Sequence, residues 1–305
     1  MGKIATRDAY GKALAALGEK REDIVVLDAD LSKSTKTANF AAAFPERFFN
    51  IGIAETDMMA TAAGLAAGGK LPFASTFAVF AAGRAYDQIR ASIAYPNLNV
   101  KIAATHAGLT VGEDGATHQM NEDIALMRVL PNMTVVVPAD GPEASAATRA
   151  VAEHHGPAYL RLGRPGVPVV NGEDYKFELG KGVLLRDGDD VVIFACGYMV
   201  HQALEAAALL ADEGVSAAVV NIHTIKPLDR ELVVKMARRC GRVVTAEEHS
   251  IYGGLGSAIA EVLSEEHPTK ITRIGVRDVF GESGKPAELM EKYGLTAAAI
   301  AKAAK

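Results

Sequence analysis

Short β-branched runs alternate with alanine-rich stretches along the whole chain, and this alternation restricts the possible folds more than any other feature. Five apolar runs of the first half have the length of buried strands: 24–30, 71–76, 99–105, 134–138 and 158–162. Stretches with helical spacing lie between them at 56–67, 78–94 and 141–154. Alternation of this kind is typical of βαβ units on a parallel sheet, so the sequence predicts an α/β fold.

The second half repeats the pattern. Four further runs are predicted to be strands: 190–196, 215–222, 242–247 and 270–276. Helices are predicted at 198–213, 229–239, 254–266 and 286–304. Residues 163–175 separate the halves and combine Gly, Pro and Asn without a periodic apolar pattern, as a linker does. We therefore expect two successive α/β domains, 1–175 and 176–305.

Charge and cysteine content argue against several classes of function. A net charge of −5 over 305 residues gives no reason to expect a nucleic acid partner, which would favour a basic face. Two cysteines cannot build a disulfide framework or a cysteine-based zinc cluster, which suits a reducing cytoplasm. The sequence shows no signal-peptide pattern and no apolar run of ~18 residues, so we expect a cytoplasmic protein without a membrane segment. HExxH and EF-hand spacings are missing, and no metal site is predicted on this chain.

Glu55 begins a predicted helix rich in Ala and Met, within FFNIGIAETDMMATAAGLAAGG (48–69). A carboxylate at this position stabilises a helix N-terminus through the helix dipole, and that explanation alone accounts for the residue. The apolar flank allows a second interpretation, in which the carboxyl group shares a proton with a ligand nitrogen. The residues alone leave both interpretations open.

Phe77 and Phe80 stand three residues apart and would share one face of a helix that begins at Phe77. Such spacing usually means core packing, and the alternative is an aromatic platform for a flat ligand. Aromatic residues make up only 6% of the chain, so this pair is a candidate ligand contact.

The segment ATHAGLTVGEDGATHQMNEDIAL (104–126) is the richest in polar candidates. It follows a strand end, where α/β folds bind ligands, and it carries His106, Glu113, Asp114 and His118 among glycines. A plain surface loop, with His118 as a turn residue, is an equally good explanation. No GxSxG elbow accompanies the histidines, so a hydrolytic triad is not indicated.

The string GGLGS (253–257) follows a predicted strand and opens a predicted helix, an arrangement that could hold a phosphate. It lacks the full GxGxxG fingerprint, so a turn that lets strand and helix pack closely is the preferred explanation. Its glycines, Gly253, Gly254 and Gly256, are therefore not assigned to a ligand.

In their order and spacing, GIAETDMM, STFAVF and THAGLTVGEDGATHQ resemble the pyrimidine-binding domain of transketolase. The second half, with VVTAEEHSIYGGLGSAI, resembles the transketolase C-terminal domain. A full-length transketolase also has a diphosphate-binding domain, whose GDG motif and later Asn hold a divalent metal, and that motif is absent here. The resemblance implies the C-terminal subunit of a split transketolase. Its partner, an N-terminal subunit, would hold the diphosphate and Mg²⁺, in a hetero-oligomer such as α2β2.

The resemblance also implies roles for single residues. Glu55 matches the carboxyl group that hydrogen-bonds the pyrimidine ring of thiamine diphosphate, and Phe77 and Phe80 match the aromatic residues packed on that ring. Asp30 matches an acidic position beside the cofactor. Positions that match the family's sugar-phosphate contacts are Arg7, Ser34, His106, Asp114, His118 and Arg164. Of these, His106 and His118 are expected to act in catalysis together with Glu55.

The implied reaction is reversible transfer of a two-carbon ketol unit in the pentose phosphate pathway. The donors would be xylulose 5-phosphate and sedoheptulose 7-phosphate, and the acceptors ribose 5-phosphate and glyceraldehyde 3-phosphate. Two departures from the family pattern stand out. Glu55 lies in AET where full-length enzymes have REH, and a further ring-contacting tyrosine falls near Gly83, where Tyr86 could substitute.

Four alternatives remain. Deoxyxylulose phosphate synthase and the beta subunit of 2-oxo acid dehydrogenases use the same cofactor. GEDGATHQ favours the sugar-phosphate enzymes over the dehydrogenases, and His106 stands where the synthase usually has an acidic-arginine pair. A non-catalytic regulatory subunit would keep the fold without the chemistry. An unrelated nucleotide-binding protein would bind nucleotide through GGLGS and ignore thiamine diphosphate.

Overall fold

Seven strands form the larger of the two main sheets, and six of them run parallel. The computed structural model describes residues 2–172 and 175–305. In spatial order the strands, numbered along the chain, are β12 (Thr224–Lys226), β6 (Thr134–Val136), β7 (Ala158–Arg161), β5 (Lys101–Thr105), β4 (Leu71–Phe77), β2 (Ile24–Asp28) and β3 (Phe48–Asn50). Only β12 is antiparallel to its neighbour. Because β12 comes from the second half of the sequence, both halves contribute to this sheet.

Five strands form the second sheet, with one antiparallel edge. In spatial order they are β14 (Ile271–Val276), β13 (Val243–Ser250), β10 (Val191–Ala195), β11 (Ala217–Asn221) and β9 (Val183–Arg186). A small antiparallel pair, β1 (Lys3–Ala5) with β8 (Gly166–Pro168), lies within the first half. The predicted class, two successive α/β domains, is confirmed.

Helices of both halves pack on these sheets. The α-helices are α1 (Thr6–Gly18), α2 (Ser32–Thr35), α3 (Ala38–Ala43), α4 (Glu55–Ala67), α5 (Tyr86–Gln88), α6 (Asp123–Arg128), α7 (Gly141–Glu153), α8 (Met199–Asp212), α9 (Arg230–Cys240), α10 (Leu255–Glu266), α11 (Pro286–Lys292) and α12 (Ala297–Ala303). Within residues 2–172 and 175–305, no helix combines the length and apolar character that a bilayer crossing needs.

Two predicted helices are broken in the structure. The stretch 78–94 consists of π-helical Val79–Arg84, the short α5 and π-helical Ile89–Ala94. The stretch 286–304 is interrupted after α11, where Gly294 has a φ of 69°. The Thr296 side chain accepts a hydrogen bond from the Ala299 backbone N–H and so caps α12. The predicted linker also contains more structure than expected, because β8 lies in it.

The apolar core crosses from one half to the other. One cluster of buried side chains reaches from Met58 and Ile102 in the first half to Phe194 and Val220 in the second. Burial of this kind is the main favourable term in folding, so the two halves stabilise one another.

A buried ion pair of the first half also hydrogen-bonds to the second half, beside the polar loop 106–121. Arg161 Nε lies 2.8 Å from Asp123 Oδ2, with side chains only 6% and 0% exposed. Arg161 Nη2 donates to the Glu248 carbonyl oxygen at 2.9 Å, and Glu248 Oε1 accepts from the Thr110 backbone N–H at 2.7 Å. Glu248 belongs to β13 of the second sheet. One guanidinium therefore connects the first sheet, the start of α6 and the second sheet.

Removing the carboxylate of this pair should destabilise the protein strongly. The Asp123→Asn substitution leaves the buried Arg161 charge uncompensated, which typically costs about 3–5 kcal/mol. The control is Glu261→Gln, because Glu261 is 59% exposed in its pair with Arg128 and such pairs contribute at most about 1 kcal/mol. Chemical denaturation of the two variants measures both free energies of unfolding, and equal losses would contradict the role given to Arg161.

Candidate active site

The predicted site residues follow strands that end at the same edge of the first sheet. β2, β4 and β5 are parallel neighbours, and β3 lies beside β2. Asp30 and Ser34 follow β2, Glu55 follows β3, and His106 follows β5. The carboxyl edge of a parallel sheet is where α/β folds bind ligands. The chain therefore gathers distant parts of its sequence at one edge.

Four rings meet at this edge. The Phe77 and Phe80 rings are nearly parallel, with centroids 5.9 Å apart and planes 9° apart. The His106 ring stacks on Phe77 with centroids 3.8 Å apart. His118 presents its ring edgewise to Phe80 at 5.5 Å. The Phe pair is thus not only core packing, because Phe80 remains partly exposed beside His118.

His106 is buried and held as one tautomer. Arg7 Nη1 can only donate, so at 3.0 Å it donates to His106 Nε2. The proton of the neutral ring then lies on Nδ1, which donates to Thr105 Oγ1 at 2.8 Å. Burial is the main cause that lowers the pKa of His106 to about 3, and the positive charges of Arg7 and Arg164 contribute to the same shift. The imidazole is therefore neutral at physiological pH.

Basic side chains surround His106. Arg7 also donates to the Ser34 carbonyl oxygen at 3.0 Å, which accounts for the proximity of Ser34. Arg164 Nη1 donates to the Val111 carbonyl oxygen and lies 3.9 Å from Asp114 Oδ2. Burial lowers the pKa of Arg7, Asp8 opposes this effect, and Arg164 adds to it. The nearby positive charges of Arg7 and Arg164 indicate a pocket that would gain from an anion.

Lys36 belongs to the same positive region, and the sequence reasoning missed it. Its charge contributes to the lowered pKa of His106. Its Nζ lies 3.2 Å from Asp8 Oδ1, and its φ of 71° turns the chain just after α2. The feature of the sequence that could have indicated Lys36 is its position two residues after Ser34, a predicted sugar-phosphate contact.

Glu55 is buried and paired with Arg84, a residue that the sequence reasoning also missed. Glu55 is 2% exposed, and its Oε2 accepts a hydrogen bond from Arg84 Nη1 at 2.8 Å. The Arg84 guanidinium lies over the Phe80 ring, with Cζ 4.5 Å from the ring centroid. The feature of the sequence that could have indicated Arg84 is its position four residues after Phe80, about one helical turn away.

Asp30 and Tyr86 lie apart from these contacts. Among the described residues, the side-chain hydrogen bonds of Asp30 are with Asn50: Asn50 Nδ2 donates to Asp30 Oδ1 at 3.1 Å. The φ of 62° at Asp30 shows a tight turn at the end of β2. Tyr86 is half-buried and packs against the main apolar core, and Gly83 is exposed.

The GGLGS turn holds a carboxylate of the chain itself. Glu247 is fully buried, and its two oxygens accept hydrogen bonds from the backbone N–H groups of Leu255 and Gly256 at 2.7 and 2.9 Å. A Cβ on Gly254 would lie 2.0 Å from Glu247 Oε2. The structure agrees with the packing explanation, because Glu247 already occupies the Leu255 and Gly256 N–H groups that a nucleotide phosphate would need.

The chain belongs to the transketolase family. The family model of the transketolase pyrimidine-binding domain matches residues 2–169, and that of the transketolase C-terminal domain matches residues 180–300. The chain is therefore a transketolase-family subunit that carries these two domains.

Similar proteins include separate subunits of this family. The chain is 53% identical to a putative transketolase C-terminal section of Methanocaldococcus jannaschii, over 97% of this chain and 94% of that protein. It is 46% identical to the 6-deoxy-6-sulfo-D-fructose transketolase subunit SqwH of a Clostridium species, over 98% of this chain and 92% of that one. A solved structure described as a split gene transketolase, inactive beta4 tetramer, is 60% identical, covers 99% of this chain and 97% of that one, and has a TM-score of 0.92. By contrast, the chain spans about half of full-length transketolases such as the human enzyme, of which it covers 48%.

The residues at the carboxyl edge fit one end of the thiamine diphosphate used in this family. The Arg84 guanidinium is flat, carries N–H groups, stacks on Phe80 and donates to Glu55. An aminopyrimidine ring is also flat and could make the same two contacts. Among the described residues no group of three His, Cys, Asp or Glu side chains is placed to hold a metal ion. The fit therefore concerns the pyrimidine ring alone.

His106 should remain neutral in the folded chain across about pH 5–8, the range in which an ordinary histidine titrates. Its lowered pKa means that the folded chain binds fewer protons there than the unfolded chain. Its contribution to stability is full above pH ~6.5 and is lost as the pH falls below that value. Nitrogen NMR of the imidazole, assigned with His106→Asn, should show a protonated Nδ1 throughout. A titration midpoint near the ordinary value would contradict the site geometry.

Proposed function

We propose that the chain is the C-terminal subunit of a two-chain, thiamine diphosphate-dependent transketolase. It would transfer a two-carbon ketol unit from xylulose 5-phosphate or sedoheptulose 7-phosphate to ribose 5-phosphate or glyceraldehyde 3-phosphate, as in the pentose phosphate pathway. The observation that carries this proposal is the buried Glu55 beside the parallel Phe77 and Phe80 rings. The apolar wall holds a flat ring, and the carboxyl group gives it one fixed polar contact.

Glu55 would bind the pyrimidine ring and hold a proton at a ring nitrogen. Thiamine diphosphate, when bound, supplies the carbon nucleophile and the electron sink for ketol transfer. Burial of Glu55 strengthens its hydrogen bond to the ring, because little water competes for it. Phe77 and Phe80 would fix the plane of the pyrimidine ring. Arg84 would have to release its hydrogen bond to Glu55 or share that carboxylate with the ring. Asp30 is proposed to lie beside the cofactor.

The positive region would bind the sugar phosphate. Arg7 and Arg164 provide planar guanidinium groups that suit a phosphate dianion, and Ser34 lies against Arg7. Neutral His106, together with His118, would serve as a hydrogen-bonding and proton-transfer group near the reacting carbons. Asp114, next to Arg164, would accept hydrogen bonds from sugar hydroxyls.

A partner would complete the site. We propose an N-terminal transketolase subunit that holds the diphosphate and Mg²⁺, in a cytoplasmic hetero-oligomer such as α2β2. The similarity to a split-gene transketolase and to a putative transketolase C-terminal section supports this division. We place the boundary between the chain's own domains near residue 175, because the two family matches end at 169 and begin again at 180.

A sulfonated sugar is a second candidate substrate. The relative from Clostridium is named for 6-deoxy-6-sulfo-D-fructose and is 46% identical to this chain. A sulfonate is a tetrahedral anion like a phosphate but carries one charge fewer, so the same arginines could bind it. Competition between xylulose 5-phosphate and 6-deoxy-6-sulfofructose as donors would decide between the two.

The test is reconstitution. The chain and its N-terminal partner are co-expressed, supplied with thiamine diphosphate and Mg²⁺, and given xylulose 5-phosphate with ribose 5-phosphate. We expect sedoheptulose 7-phosphate by mass spectrometry, and a rate at least about 10²-fold lower for Glu55→Ala, the usual cost of one essential hydrogen bond. The matched control is Glu231→Ala, because Glu231 is an exposed glutamate in the first turn of α9. Full activity of Glu55→Ala would refute its role, and turnover of neither donor would refute the proposed function.

A further inference from the structure

The loop that carries Asp114 and His118 packs against the second domain. It runs from His106 to Asn121, between β5 and α6. Its base is closed by the Gly108 backbone N–H, which donates to the Met120 carbonyl oxygen at 2.8 Å. Between Gly108 and Met120, the loop forms hydrogen bonds with the segment 281–283, which joins β14 to α11 in the second half.

Gln119 is the first of these contacts. It is 5% exposed, and its Nε2 donates to the carbonyl oxygens of Leu109 at 3.2 Å and Glu282 at 2.9 Å. The amide thus joins the start of the loop to the second domain. A Cβ on Gly281 would lie 1.8 Å from Gln119 Oε1, so the Gln119 amide can lie against this segment only because Gly281 has no side chain.

Ser283 is the second contact. Its Oγ donates to the Glu113 carbonyl oxygen at 2.6 Å, directly beside Asp114. On the same side, a Cβ on Gly115 would approach the Ser283 backbone at 3.4 Å, and one on Gly112 would approach Pro286 at 3.1 Å. Both glycines have φ near 80°, so the loop turns sharply where it meets the second domain.

These contacts hold Asp114 and His118, the two polar side chains of the loop, at opposite ends of one short turn. The backbone N–H groups of His118 and Gln119 donate to the Gly115 carbonyl oxygen at 3.0 and 3.1 Å. Since Gln119 directly follows His118, its anchor limits where the His118 ring can lie against Phe80. Since Ser283 holds Glu113, it limits the position of Asp114.

We infer that Gln119 and Ser283 are positioning residues, through which the second domain sets the affinity for the sugar. This inference rests on the proposed function, because it concerns the loop that would read the sugar hydroxyls. Neither residue touches the proposed cofactor contacts Glu55, Phe77 and Phe80. Losing either residue should therefore raise KM for the sugar phosphate and leave cofactor affinity unchanged.

The experiment compares Gln119→Met and Ser283→Ala with wild type in the reconstituted complex. Gln119→Met keeps the volume and removes the amide, and we expect KM for the sugar phosphate to rise about 10-fold, the effect of roughly one buried hydrogen bond. Ser283→Ala should raise KM about 3-fold, and Ser283→Thr, which keeps a hydroxyl, should restore it. The matched control is Ser264→Ala, because Ser264 also donates to a backbone carbonyl oxygen, that of Glu261, on α10.

Hydrogen exchange of the isolated chain tests the same inference without turnover. Backbone amides of residues 109–118 should exchange faster in Gln119→Met and Ser283→Ala than in wild type or Ser264→Ala. Unchanged exchange in both variants would overturn the inference even if the wild-type complex proves inactive. Faster exchange with KM unchanged in an active complex would overturn it as well, because the contacts would then be merely structural. Wild-type inactivity with faster loop exchange would instead count against the proposed function alone.

Discussion

The Arg161 guanidinium makes the interactions that hold the two domains and the polar loop 106–121 in place together. It pairs with Asp123 at the start of α6, donates to Glu248 on β13, and lies at the end of β7. Glu248 in turn fixes Thr110 inside the loop. Buried charge is costly unless every partner is in place, so this arrangement specifies one docking of the domains. The loop that would contact substrate is therefore positioned by the same interaction that orients the second domain.

Electrostatic contrast explains how one sheet edge could serve two kinds of ligand. Phe77 and Phe80 form an aromatic surface, and the Arg84–Glu55 pair beside Phe80 balances one positive charge with one negative charge. Around His106 the surroundings are strongly positive, and a neutral imidazole lies among Arg7, Lys36 and Arg164. A flat heterocycle suits the first region and an anion suits the second. His106 stacks on Phe77 and so lies at their boundary.

The sequence predicted the main strands because each is a continuous apolar run buried on both faces, such as Ile24–Asp28. It did not predict β1, β3, β8, β9 or β12, because strands of three or four residues carry too little periodic pattern. The interrupted helix at 78–94 was missed because an alanine-rich stretch gives the same pattern in α- and π-helical form.

The residues of the candidate site also fall into those that the sequence indicated and those that it missed. The sequence indicated Phe77 with Phe80 and His106 with His118 as separate candidates, and only the family resemblance joined them in one site and assigned their roles. Arg84, Lys36 and Gln119 were missed. Their partners are distant in sequence or depend on a turn, and no local pattern reports a tertiary contact.

We propose that this chain provides the pyrimidine contacts of the cofactor and that its partner provides the diphosphate anchor. Calorimetric titration of thiamine diphosphate with Mg²⁺ measures this directly, first into the isolated chain and then into the chain mixed with its N-terminal partner. We expect saturable binding in the mixture and no measurable binding by the chain alone. Binding by the isolated chain as tight as in the mixture would contradict it.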